Sequence, residues 1–107
     1  MNPYRPRDVV IVPFPFQQGE GKKNRPAVVL AVESDQLLLA PCTRRPADGI
    51  SAVKIDLEDF EEGGLDLFEE SSVLIAHHAK VPVKKVVKKK GRLNEDTFNS
   101  IIRPGRF

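Results

Sequence analysis

The apolar residues of this chain come in short, β-branched runs that Pro, Gly and Asp interrupt before a helix can form. Val9 to Phe14, Ala27 to Val32 and Leu37 to Ala40 suit a pleated, buried surface, so each is predicted as a strand. Ser51 to Leu57 alternates Val53, Ile55 and Leu57 against Ala52, Lys54 and Asp56, the period-2 pattern of a strand with one face in solvent. Val73 to Val83 reads as a fifth strand, with Pro82 marking an edge or an irregularity. Loops separate them at Gln17 to Asn24, Ser34-Asp35, Arg44 to Ile50 and Glu58 to Leu65, where Gly63-Gly64 is a turn signal.

The one helix signal is C-terminal. Asn94 is a good N-cap, Glu95 and Asp96 suit the positive end of the helix dipole, and Phe98, Ile101 and Ile102 follow at helical spacing before Pro104. Five short strands in a chain of 107 residues favour a strongly bent sheet or barrel, because closure removes most exposed edges. That length supplies one small core, so residues 1–107 are expected to form a single domain. The run Lys84 to Lys90, with Val86 and Val87 inside it, is expected to be an edge strand guarded by lysines.

No apolar run approaches the roughly 18 residues of a membrane span. The basic N-terminus precedes an apolar segment, but Pro13 and Pro15 break it and Gln17-Gln18 is no small-residue cleavage site, so a cytoplasmic protein is expected. Cys42 is the only cysteine, which excludes an intrachain disulfide and predicts a small buried hydrophobe at a strand end. A net charge of +2 does not argue for nucleic acid by itself. Its distribution is more informative. Every charged residue from Asp56 to Glu70 is acidic and every one from Lys80 to Arg92 is basic. These are either two solvated faces in balance or a basic face that attracts a polyanion.

Two short blocks carry the chemistry. Arg25-Pro26-Ala27-Val28-Val29-Leu30 puts a fixed cation at the mouth of one apolar strand, and Pro41-Cys42-Thr43 puts a hydroxyl at the end of the next. If those strands pair, guanidinium and hydroxyl converge on a phosphate, where a bidentate cation suits developing charge. Taken alone, Arg25 is as well read as a surface ion pair or loop anchor, and Thr43 as a turn residue bonding its own backbone. Gly19-Glu20-Gly21-Lys22 is not a nucleotide loop, because Phe16 and Lys23 occupy the places that need Gly and Ser or Thr. His77-His78 is the one place with groups that titrate near neutrality. On a strand the two rings would face opposite sides, one toward a pocket or the core and one toward solvent, which excludes their sharing a metal ion. A Cys42–His nucleophile pair has no supporting motif around Cys42.

The blocks Arg7 to Phe16, Arg25 to Leu30, Pro41-Cys42-Thr43 and Gly91 to Asp96, in this order, resemble the MazF/PemK family of toxin endoribonucleases. The resemblance covers most of the chain, with residues 44–70 outside it. It implies a mainly β, SH3-like barrel of about five to seven strands with a C-terminal helix, a homodimer, and metal-independent cleavage of single-stranded RNA without a cofactor. The 2′-hydroxyl would attack the adjacent phosphate, leaving 2′,3′-cyclic phosphate and 5′-hydroxyl ends. Arg25 and Thr43 match the family's catalytic pair. His78 falls where family members often carry glutamine, and it is expected either to transfer a proton or to mark altered activity. Phe16, Gln17, Gln18, Lys22, Lys23 and Asn24 of the loop, with Arg44, Arg45 and Lys80, would hold the RNA, Phe16 by stacking. The implied protein partner is an antitoxin with an acidic or amphipathic tail that competes for the same groove. The alternative is a toxin that binds a protein target, as in the related gyrase poison CcdB, or a catalytically inactive nucleic-acid-binding homologue.

Overall fold

The computed structural model describes residues 3–14, 23–44, 52–63 and 71–102, the side chains of Lys23 and Ser71 excepted. Eight strands occur among them: β1 (Asp8–Phe14), β2 (Lys23–Glu33), β3 (Gln36–Thr43), β4 (Val53–Ile55), β5 (Phe60–Gly63), β6 (Ser71–Val73), β7 (Ala79–Pro82) and β8 (Lys88–Leu93), followed by helix α1 (Glu95–Ile102). They form one curled antiparallel sheet in the order β4-β6-β3-β2-β1-β8-β5, with β7 also paired to β3. The mainly β fold with a C-terminal helix is therefore the one expected, built as a half-barrel with more strands.

The central strands bury both faces, and this is why β1 and β2 read as near-continuous apolar runs. One face carries Val9, Val28, Ala40, Cys42, Ile55, Val73 and Leu93, and Phe98 and Ile101 of α1 close over it. The other carries Val10, Val12, Phe14, Ala27, Val29, Leu37, Leu39 and Val81. Cys42 is buried in the first group, as its place at a strand end predicts. Asn94 caps α1 by accepting from the Thr97 N–H at 2.8 Å, while its own N–H donates to the Asp59 carbonyl at 2.8 Å. Ser34, with φ 46°, makes the tight turn from β2 to β3.

Three local expectations are corrected. Val73 to Val83 is not one strand: Ile75–His77 forms a 3-10 turn between β6 and β7. The segment Glu58 to Leu65 is not a plain loop, because Leu57–Asp59 is a 3-10 turn and Phe60–Gly63 is β5, paired to β8. The lysine run is not a single edge strand. Val83–Lys85 is a 3-10 turn, and β8 pairs with β1 from Lys88 to Arg92 while meeting β5 from Gly91 to Leu93. The acidic and basic segments meet at that seam, where Glu62 lies opposite Arg92.

Candidate active site

β2 and β3 pair antiparallel, with Val28 opposite Ala40 and Ala27 opposite Pro41. Arg25 in β2 and Thr43 in β3 each lie two residues beyond that last pair. Side chains alternate along a strand, so both share the side of Ala27, Val29, Leu37 and Leu39. The two strands have parted by then. Arg25 is paired outward to Val12 of β1, and Thr43 is paired outward to Ser72 of β6. Pro26 and Pro41 stand at the point of separation, where neither has an N–H to extend a ladder. The result is a notch between two strand ends, with Arg25 in one and Thr43 in the other.

Arg25 is half-buried, and its Nε is closed off from solvent. Thr43 is also half-buried, while Asn24 and Arg44 beside them are exposed. A guanidinium presents its donors in a rigid fork that matches two phosphate oxygens, and a threonine hydroxyl donates a third bond. Ser72, half-buried and opposite Thr43, brings a second hydroxyl to this end of the sheet. Nothing in the Ser71-Ser72 dipeptide announces that role, because it depends on the pairing of β3 with β6.

The histidines sit on the far edge of β3. That edge pairs with β7 up to Leu39 opposite Ala79, and with β6 from Cys42 opposite Val73. The 3-10 turn Ile75–His77 fills the interval, tied down by the Leu74 N–H donating to the Pro41 carbonyl at 2.9 Å. Both His77 and His78 are exposed, so neither faces the core, as the strand-based expectation allowed one to do. The reason is the turn, whose residues do not alternate between two faces.

The remaining predicted contacts are dispersed. Lys80 lies opposite Leu38, on the face away from Arg25 and Thr43, and pairs with Glu33 at 3.1 Å. Lys23 begins β2 opposite Phe14. Phe16, Gln17, Gln18, Lys22 and Arg45 lie outside the described residues.

Part of the basic segment is neutralised internally. Lys89 Nζ is 3.4 Å from Asp8, and Arg92 Nε is 2.9 Å from it. Arg7 bonds Glu61 at 3.0 Å. The hydrogen bond that Arg92 donates to Asp8 is the main cause that raises the Arg92 pKa, reinforced by the charges of Asp8, Glu62 and Glu61 against the lowering effect of burial. Lys84, Lys85 and Lys88 are exposed and form no ion pair among the described residues. No three of His, Cys, Asp and Glu gather into a metal-binding group among the described residues. Among the described residues no helix is long and apolar enough to cross a membrane.

A model of the PemK-like, MazF-like toxins of type II toxin-antitoxin systems matches residues 5–103. The fold is similar to that of the Mycobacterium tuberculosis toxin MazF-mt6, with a TM-score of 0.64 and 20% identity over 85% of this chain and 84% of that one. It is also similar to a chain of the MazE-MazF crystal structure from Deinococcus radiodurans, with a TM-score of 0.60 and 16% identity over 92% of this chain and 88% of that one. No curated protein matches the chain. The family match runs from the turn before β1 to the end of α1, and on that match the chain belongs to the PemK-like, MazF-like toxins of type II toxin-antitoxin systems.

Proposed function

We propose that this toxin acts as an endoribonuclease that cleaves single-stranded RNA without a metal ion or other cofactor. The observation that supports the reading is that Arg25 and Thr43 each lie two residues beyond the last β2–β3 pair, on the ends of neighbouring strands. In the proposed reaction the 2′-hydroxyl attacks the adjacent phosphorus and the bond to the 5′ oxygen breaks, leaving a 2′,3′-cyclic phosphate and a 5′-hydroxyl. Arg25 offsets the charge that accumulates on the nonbridging oxygens, and Thr43 fixes one of them. Asn24 and Arg44, exposed on either wall, are suited to contact the flanking backbone.

The Deinococcus radiodurans relative is a MazE-MazF structure, and by analogy we take an antitoxin with an acidic or amphipathic tail as the protein partner. Lys84, Lys85 and Lys88, exposed on one segment, offer such a tail positive charge. A cytoplasmic homodimer is part of the same family reading. The test is incubation of the purified full chain with single-stranded RNA in EDTA, followed by analysis of the ends. Cleavage that survives chelation and leaves cyclic phosphate supports the proposal. Intact RNA, or cleavage abolished by EDTA, rejects it in favour of a toxin that acts by binding.

A further inference from the structure

Thr43 of β3 lies opposite Ser72 of β6, and Ser72 in turn lies opposite Lys54 of β4. Residues directly opposed in antiparallel strands project to the same side, so the three form one row across the sheet. Burial fixes which side that is. Cys42, Val73 and Ile55, their neighbours along the three strands, are buried in one core and Val53 packs against it. Alternation therefore sends Thr43, Ser72 and Lys54 the other way.

The row runs from a half-buried hydroxyl to an exposed charge. Thr43 and Ser72 are half-buried, whereas Lys54 is exposed and forms no ion pair among the described residues. The carboxylate that follows on the same strand, Asp56, heads the Leu57–Asp59 turn and makes no ion pair with it. Adjacent strands lie about 4.8 Å apart, so Lys54 stands about 10 Å from Thr43. A single nucleic-acid strand repeats its charge at a comparable interval. An ammonium is a point charge on a long, flexible stem, which suits neutralising a phosphate that undergoes no chemistry, while the rigid fork of Arg25 suits the one that does.

We infer that Lys54 binds the phosphate next to the one that is cut, with Ser72 lining the path between them. The inference rests on the ribonuclease reading above, and it makes the RNA cross the sheet from β3 over β6 to β4. This contact is the same in the ground and transition states, so it supplies affinity and leaves the chemical step alone.

The test uses the full chain and an oligonucleotide that spans a mapped cut site, 2′-deoxy at the cut nucleotide so that binding is read without cleavage. Lys54→Met should melt as wild type does and bind about fivefold more weakly, and the slope of log Kd against log salt should fall by about 0.7, the value for one phosphate contact to a single strand. Lys54→Arg should restore both. Arg5→Gln removes the same charge beside the start of β1 and should leave the slope unchanged. A neutral methylphosphonate is placed on one side of the cut phosphate and then on the other. At one of these two places it should weaken wild type by a similar factor and leave Lys54→Met unaffected. On cleavable RNA, Lys54→Met should raise KM and keep kcat. Normal affinity in Lys54→Met, or equal losses in both proteins at both methylphosphonate positions, overturns the inference while cleavage by wild type keeps the ribonuclease reading. Wild type that cuts no RNA brings down both.

Discussion

Asp8 and Arg92 face each other across the β1–β8 ladder, with the buried carboxylate 2.9 Å from the guanidinium Nε. Asp8 is the one fully buried charged side chain among the described residues, and it also accepts the Arg5 N–H at 3.0 Å and attracts Lys89 at 3.4 Å. The N-terminal turn, β1 and β8 are thus tied at one point. Asp8→Asn keeps the shape but removes the charge, and should lower stability by about 2 kcal/mol in urea unfolding. An unchanged midpoint would show that the tie is incidental.

The pH behaviour of the same pair follows from its sign. Folding raises the Arg92 pKa, chiefly through the Asp8 hydrogen bond. A cation with a raised pKa contributes fully below its unfolded value and loses that contribution only as pH climbs through the higher folded value. The destabilisation caused by Arg92→Gln should therefore be the same at about pH 6 and about pH 9, since arginine stays protonated throughout. A difference that changes across that window would assign the effect to another group.

Arg25→Ala should reduce RNA cleavage by about two to three orders of magnitude, as expected when a charge partner of the transition state is lost. Circular dichroism and thermal melting should remain close to wild type. A folded variant that cuts at the normal rate would remove Arg25 from the mechanism.

Replacing the 2′-hydroxyl by hydrogen at the cut nucleotide removes the attacking group and leaves the phosphate contacts. Cleavage should stop while affinity, measured by fluorescence anisotropy, stays nearly the same. Cutting of this deoxy substrate would exclude cyclisation.

Gly63 holds φ 71° where β5 meets Gly91, and a Cβ built there would collide with the Lys90 carbonyl oxygen. Gly63→Ala should cost about 2–4 kcal/mol, from a strained left-handed residue combined with a forced opening of the β5–β8 pair. Thermal unfolding measures it, and a neutral result would mean the seam adjusts freely.

Much of this architecture is legible in the chain because its causes are local. Val9 to Phe14 and Ala27 to Val32 announce strands by β-branching, and Asn94 with Phe98 and Ile101 announces the helix. What escapes is set by partners distant in sequence. Ile75–His77 has the composition of a strand, yet it forms a turn because β3 pairs with β7 up to Leu39 and with β6 from Cys42, and the surplus residues must be absorbed between. Phe60–Gly63 looks like a loop because Glu61, Glu62 and Gly63 disfavour strands, but Arg7 and Arg92 across the seam supply the opposite charge. For the site, Arg25 and Thr43 stand out in the sequence, while the pairing of Ser72 with Thr43 emerges only once the chain is folded.

The parting of β2 and β3 after Pro41 has an effect beyond the notch itself. Thr43 sits on the last rung of β3, held at that level by β6, so its location is inherited from earlier rungs packed through Leu37 and Leu39. A void at Leu39 would tilt the strand end before it unfolded the sheet, and a misalignment of about 1 Å costs on the order of 10²-fold in rate. On the proposed function, drift among buried leucines is thus a route by which potency can be turned down while Arg25 and Thr43 stay intact.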